Sequence, residues 1–148
     1  METPDVPAST QLRFRARVRT RWCDEDVQRV VNNAVYLTLL EEARFAYFDH
    51  LGLMEGRYFP FVLAQTNVLF VAPSLGNRDV DVEMATVSIG RTSFEQVYRV
   101  RDVASGRILC EARARLVGWD TERSEKRVLD EKFRAAVWGC EGRELGGS

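Results

Sequence analysis

Between Asn33 and Gly52 the chain carries one long helical pattern that is apolar over much of its circumference. Val35, Tyr36, Leu39, Leu40, Ala43, Ala46 and Tyr47 recur at steps of three and four residues, the spacing of a buried helical stripe. Leu37, Phe45 and Phe48 widen it, so the helix is expected to be mostly enclosed. Asn32 or Asn33 can cap its start, and Gly52 is a natural stop. A helix of this kind needs a second layer to cover it, and the rest of the chain reads as strands. Residues 13–22, RFRARVRTRW, alternate strictly, with Phe14, Ala16, Val18, Thr20 and Trp22 on one face and Arg13, Arg15, Arg17, Arg19 and Arg21 on the other. Period two marks a strand with one buried face. The arginine face is read as a solvated outer surface paired with acids on a neighbouring strand. Its alternative, a nucleic-acid surface, lacks aromatic residues on the same side.

Four strand candidates follow the helix. Phe61–Val71 is almost continuously apolar and reads as a central strand. Asp79–Ile89 changes phase, because Val80, Val82 and Met84 share a face that Ala85, Val87 and Ile89 then take over. That change predicts a β-bulge near Met84–Thr86. Ser93–Val103 and Ile108–Trp119 are joined by Ala104–Arg107, a hairpin. A short strand over Lys126–Leu129 precedes Asp130, which caps a terminal helix through Trp138 with Gly139 after it. The expected architecture is α+β, an antiparallel sheet curled around one long helix. Such a layer keeps an open edge, so a homodimer or homotetramer is expected.

The chain of 148 residues is expected to form one domain over 13–140, between flexible tails at 1–12 and 141–148. A formal net charge of -1 gives no bulk attraction to nucleic acid or an anionic membrane. No apolar run approaches the length of a spanning helix, and METPDVPAST lacks the basic and apolar regions of a signal peptide. Cys23, Cys110 and Cys140 are odd in number and far apart, which suggests neither a disulfide framework nor a C-x-x-C ligand pair. We read a reducing compartment, the cytoplasm. The lone histidine, His50, sits near the helix end, where it favours the helix dipole. A histidine metal site or a Ser-His-Asp triad is not expected.

Three acids, Asp24, Glu25 and Asp26, stand a few residues before the Asn32-Asn33 pair that opens the helix. A helix start presents unpaired N–H groups and the positive end of a dipole. A carboxylate beside it can attack, or activate water against, a carbonyl whose oxygen those N–H groups stabilise. That is acyl chemistry.

The pattern D-x-D at 24–26, V-N-N-A-x-Y at 31–36 and E-E-A-R at 41–44 resembles the 4-hydroxybenzoyl-CoA thioesterase branch of the hotdog-fold superfamily. The resemblance implies a sheet wrapped around a central helix and hydrolysis of an acyl-CoA thioester to free acid and coenzyme A, with no further cofactor. It assigns Asp26 as nucleophile or general base and the backbone N–H near Asn33 as oxyanion donor, whereas the Asn33 side chain can equally be a helix cap. Asp24 and Glu25 are expected to be structural. Many relatives place Gly and then His before V-N-N, where this chain has Arg29 and Val30. Arg29 either meets a substrate carboxylate or phosphate or is solvated. Arg91, in the turn Gly90–Phe94, matches a place where the resembled enzyme meets the phosphates of coenzyme A; a plain hairpin turn is the other reading. A second hotdog branch carries its carboxylate on the central helix, which keeps Glu41 and Glu42 open; the alternative is a Glu41–Arg44 pair or plain solvation. An acyl-carrier-protein thioesterase, docking through the arginines of the first strand, and a non-catalytic acyl-CoA binder are the rival functions. A hotdog dehydratase would need a catalytic histidine that His50 does not match.

Overall fold

The apolar helical pattern folds as α1 (Asn33–His50), and the alternating arginine segment before it as β1 (Phe14–Arg19). The computed structural model describes residues 1–142. After α1 come β2 (Phe61–Phe70), β3 (Asp79–Ile89), β4 (Ser93–Asp102), β5 (Ile108–Asp120), β6 (Glu125–Lys126) and α2 (Glu131–Glu141). The strands form one antiparallel sheet in the order β1-β3-β4-β5-β2, with β6 on β5. The sheet curls around α1. Tyr36, Leu39, Leu40, Ala43, Tyr47 and Phe48 of the helix are buried against Val82, Met84, Phe94, Tyr98 and Ala112 of the strands. This is the expected α+β hotdog architecture.

Asn32 is the helix cap; its side chain accepts the Ala34 N–H at 2.9 Å. At the other end Gly52 adopts φ 69° and the Leu53 N–H returns to the Phe48 carbonyl at 2.9 Å, a left-handed stop that glycine makes without strain. His50 is the last residue of α1, its ring tilted against Phe14 at 5.8 Å. Asp130 caps α2 by accepting the Phe133 N–H at 2.9 Å. That helix runs past Gly139 and ends at Gly142, which takes φ 67°. Glycine stops a helix only where the chain turns left-handed, and Gly139 stays helical.

Four other expectations are corrected. β1 ends at Arg19, and Trp22 is 73% exposed in a 3-10 turn rather than facing inward. The bulge lies at Val87, where the register of β3 on β4 slips between Thr86 and Ser88. Ala85 therefore stays outside, with Leu12 and Val97, and Thr86 points inward, its Oγ1 2.9 Å from the Tyr47 hydroxyl. A polar residue on the inner face concealed the true phase. β2 is an edge strand, not a central one. Leu37 and Phe45 of α1 remain 42% and 45% exposed within the chain.

The arginine face of β1 behaves as expected. Arg17 and Arg19 stand directly opposite Asp81 and Asp79 of β3, and their guanidinium groups donate to those carboxylates at 3.0 Å. The same outer face continues across the sheet with Arg101–Glu83, Arg99–Glu111 and Arg113–Glu95 pairs. Residues 1–12 lie over this face: Leu12 is buried, and Ser9 Oγ accepts from Arg99 and Arg101 at 3.0 and 3.1 Å. Of the C-terminal segment read as a tail, Glu141 is buried at the end of α2, and residues 143–148 lie outside the described residues.

These pairs carry a pH dependence. The Arg113 guanidinium holds Glu95 below its usual range, and Ser105 does the same for Asp102. Burial pushes Glu83 up, but hydrogen bonds from Ser9 and Arg101 outweigh it. A carboxyl lowered by folding stabilises the native state above its unfolded value and loses that contribution as pH falls through its folded value. The ordinary values are 4.5 for Glu and 3.8 for Asp. The urea midpoint should therefore be level above about pH 5 and decline progressively below about pH 4.5. A midpoint still level at about pH 3 would show that these pairs contribute nothing.

Candidate active site

The acids before the helix build a short hairpin that leads into it. Asp24 is buried and closes the 3-10 turn Trp22–Asp24 by accepting from the Arg21 N–H at 2.7 Å and its guanidinium at 2.8 Å. Burial alone would raise the Asp24 carboxyl; the Arg21 hydrogen bonds bring it below its usual range. Its carbonyl accepts the Asn32 N–H at 2.9 Å, and Glu25 bridges to Val31. The Glu25 carboxylate accepts the Gly76 N–H at 2.8 Å, and Val31 donates to the Ser74 carbonyl at 2.8 Å. A Cβ at Gly76 would fall on the Arg21 carbonyl and 2.7 Å from Trp22 Cα, so only glycine allows this approach. Asp24 and Glu25 thus fix the frame, as the sequence suggested.

Asp26 has a different role. Its N–H donates to Val30 at 3.0 Å, its carbonyl accepts from Arg29 at 2.9 Å, and its Oδ1 accepts the Gln28 N–H at 2.8 Å. The second carboxylate oxygen has no partner among the described residues. The hairpin continues through Val31 and Asn32 into α1. There Ala34 N–H is taken by the cap and Val35 N–H by the Asn32 carbonyl at 2.9 Å. The Asn33 N–H has no acceptor among the described residues. It lies at the positive end of an 18-residue helix.

Beside this start is a groove of about 230 Å3 lined by Gln28, Val30, Val31, Asn33, Tyr36 and Phe70, and closed by Val71, Ala72 and Pro73. Tyr36 and Phe70 meet edge to face at 5.6 Å. The walls are apolar apart from Gln28, Asn33 and the Tyr36 hydroxyl. A larger hollow of about 350 Å3 lies between the N-terminal segment and the outer face of β2 and β5; another, of about 170 Å3, lies between α2 and residues 53–61. Neither includes any residue of the 24–33 hairpin.

Asp26, Arg29 and Asn33 are therefore brought into one hairpin and helix start. Arg91 is not. It is exposed in the β3–β4 turn and its carbonyl accepts from Leu129 at 3.0 Å. That turn joins the sheet end where Phe61, Phe94 and Phe133 cover Phe48 near the end of α1. A helix of 18 residues spans about 27 Å, which separates Arg91 from the Asn33 end. Glu41 and Glu42 are exposed on α1 and line no part of the groove. They are solvated, as one alternative had it, rather than paired: Arg44 is buried and donates to the Tyr98 hydroxyl at 3.2 Å. Tyr36 and Phe70 were missed as site residues. Tyr36 stands three residues after Asn33 in V-N-N-A-x-Y, on the same helix face, and that spacing could have identified it.

Arg29 takes the left-handed conformation glycine favours, at φ 62°. The left-handed region disfavours any residue with a Cβ. Arg29→Gly should therefore be about 1 kcal/mol more stable than Arg29→Ala, read as a difference in urea midpoint. Equal midpoints would mean that the loop relaxes the strain elsewhere.

The comparisons with known proteins concern the family and the fold. The model of the thioesterase-like superfamily matches residues 18–137. A thioesterase from Thermus thermophilus, solved in complex with coenzyme A and Zn, is 32% identical with a TM-score of 0.77, over 88% of this chain and 95% of that one. The PA2801 protein of Pseudomonas aeruginosa is 26% identical with a TM-score of 0.74, over 83% of this chain and 96% of that one. A 1,4-dihydroxy-2-naphthoyl-CoA thioesterase from Synechocystis shares the fold at 18% identity and a TM-score of 0.74, over 84% of this chain and 94% of that one. No curated protein matches the sequence. With a family match running from β1 into α2 and the acids poised at the start of its central helix, the chain belongs to the thioesterase-like superfamily.

Proposed function

We propose that this protein hydrolyses an acyl-CoA thioester to a free acid and coenzyme A, using Asp26 as nucleophile or general base and the Asn33 N–H as oxyanion donor. The observation that carries this reading is the unpartnered Asn33 N–H at the start of α1, reached by the hairpin that also holds the free oxygen of Asp26. A thioester is an activated acyl group with a good leaving group, so an ionised carboxylate suffices to begin the reaction. As nucleophile, Asp26 forms a mixed anhydride, expels the thiolate and is regenerated by water. As base, it takes a proton from the water that adds to the carbonyl. Either route can proceed without a metal or redox cofactor. A panel of acyl-CoAs with detection of free thiol tests the proposal; no thiol release from any member would leave the binder reading in its place.

Coenzyme A is favoured over a carrier protein because Asp79 and Asp81 neutralise Arg17 and Arg19, the basic surface a carrier protein would need. We place the protein in the cytoplasm on its three unpaired cysteines. No helix among the described residues is long and apolar enough to cross a membrane. Two copies are proposed to pair along β2, beside the groove. Arg91 is proposed to meet the nucleotide phosphates of a carrier held by another copy, since its own groove lies at the opposite end. Arg91→Ala should raise KM for an acyl-CoA several-fold with kcat nearly intact and leave an acyl-pantetheine unaffected. An equal loss on both substrates would assign Arg91 to the fold.

A further inference from the structure

Tyr36 lies where a phenylalanine would pack equally well. It is 3% exposed, lines the groove and meets Phe70 edge to face at 5.6 Å. Phe70 is the cross-strand neighbour of the fully buried Cys110 on β5. The Tyr36 hydroxyl makes no hydrogen bond to any described residue. Its inward neighbours contrast with it, because the hydroxyls of Tyr47 and Tyr98 are both bonded, to Glu141 and Gln96 at 2.7 and 2.6 Å. The ring is buried but the hydroxyl opens onto the groove, where water satisfies it until a substrate group takes that place. Burial, and then Cys110, push the Tyr36 phenol up to about 12, so it remains a protonated donor at any physiological pH. The other polar groups on the walls, Gln28 and Asn33, belong to the hairpin and the helix start. Within the helix Tyr36 stands one turn beyond the Asn33 N–H that would face the thioester oxygen, so the phenol addresses a more distant part of the substrate.

We propose that Tyr36 is a specificity-determining residue whose hydroxyl bonds an oxygen on the acyl group itself, selecting acyl groups that carry a hydroxyl or carbonyl beyond the thioester. The proposal rests on the thioesterase reading and narrows its substrate class. A site built to bond a substrate oxygen rejects the analogue that lacks it, because the buried group is then left unpaired.

The test compares wild type and Tyr36→Phe on matched pairs, hydroxybutanoyl-CoA against butanoyl-CoA and hydroxybenzoyl-CoA against benzoyl-CoA. Wild type should prefer the hydroxylated member of at least one pair by about tenfold in kcat/KM. Tyr36→Phe should abolish that preference by lowering the hydroxylated rate alone, with a Tm close to wild type. An equal fall on both members would overturn the proposal, placing Tyr36 at the thioester oxygen or in the fold. So would a wild type without preference. If wild type hydrolyses none of the four, the thioesterase reading fails, and equilibrium binding of the same pairs to both proteins then decides the role of Tyr36.

Discussion

Asp26→Asn should lower kcat by about two orders of magnitude or more, the scale expected for losing a nucleophile or base, with Tm almost unchanged. The reason lies in how the two carboxylate oxygens are used. Oδ1 accepts the Gln28 N–H at 2.8 Å and shapes the turn; an asparagine oxygen can keep that bond. The backbone links to Val30 and Arg29 do not involve the side chain. What the amide removes is the negative charge and the lone pair of the free oxygen. KM should move little, because the acyl groove is lined by other residues. Single turnover in 18O-water with rapid quench separates the two routes: label entering Asp26, or an acylated enzyme trapped in the quench, marks the anhydride, and label only in the product acid with no acylated enzyme marks the base. Undiminished turnover in the variant would remove Asp26 from the mechanism. Glu41 and Glu42, exposed and outside the groove, would then need the binding of a partner or substrate to bring them into play.

The parts of this fold legible in the sequence are those where each residue is explained by its own chain. The alternation of Phe14 to Arg19 was one, because period two by itself separates the inner from the outer face of β1. The caps at Asn32 and Asp130 were others, since a cap is a local bond. Misreadings arose where a long-range contact reverses a local preference. Thr86 faces inward because Tyr47, on the helix, supplies a hydrogen-bond partner. Arg44 turns away from Glu41 because Tyr98, on β4, accepts from it. Motif spacing put Asp26 and Asn33 near one helix start, and the hairpin that joins them brings them there. Phe70 was not legible, since its place in the groove depends on β2 lying beside β5 at the edge.

The misreading of β2 leads to the second large effect. Its continuous apolar run resembles a central strand, yet Val62, Leu63, Leu69, Phe70 and Val71 are 40%, 43%, 38%, 44% and 48% exposed at the sheet edge. An open apolar edge is a template for pairing with another chain. The exposed stripe continues onto α1, where Phe45 meets Phe59 at 6.4 Å and Leu37 follows Tyr36, which touches Phe70. A second copy laid along this edge would supply the neighbour that the sequence pattern implies. It would also cover the groove, because Phe70 belongs to both the edge and the groove wall. Replacing Leu63 and Leu69 together by lysine should therefore do two things. Light scattering should shift from dimer to monomer at micromolar concentration, since each buried apolar side chain contributes about 1.5–3 kcal/mol and the new charges repel across a twofold contact. Activity should fall by about tenfold or more, because an open groove no longer orients the acyl group or excludes water from it. Neither position lines the groove, so the loss would act through assembly. A wild-type protein that is monomeric and fully active at that concentration would sink the idea and return the exposed apolar edge to being unexplained.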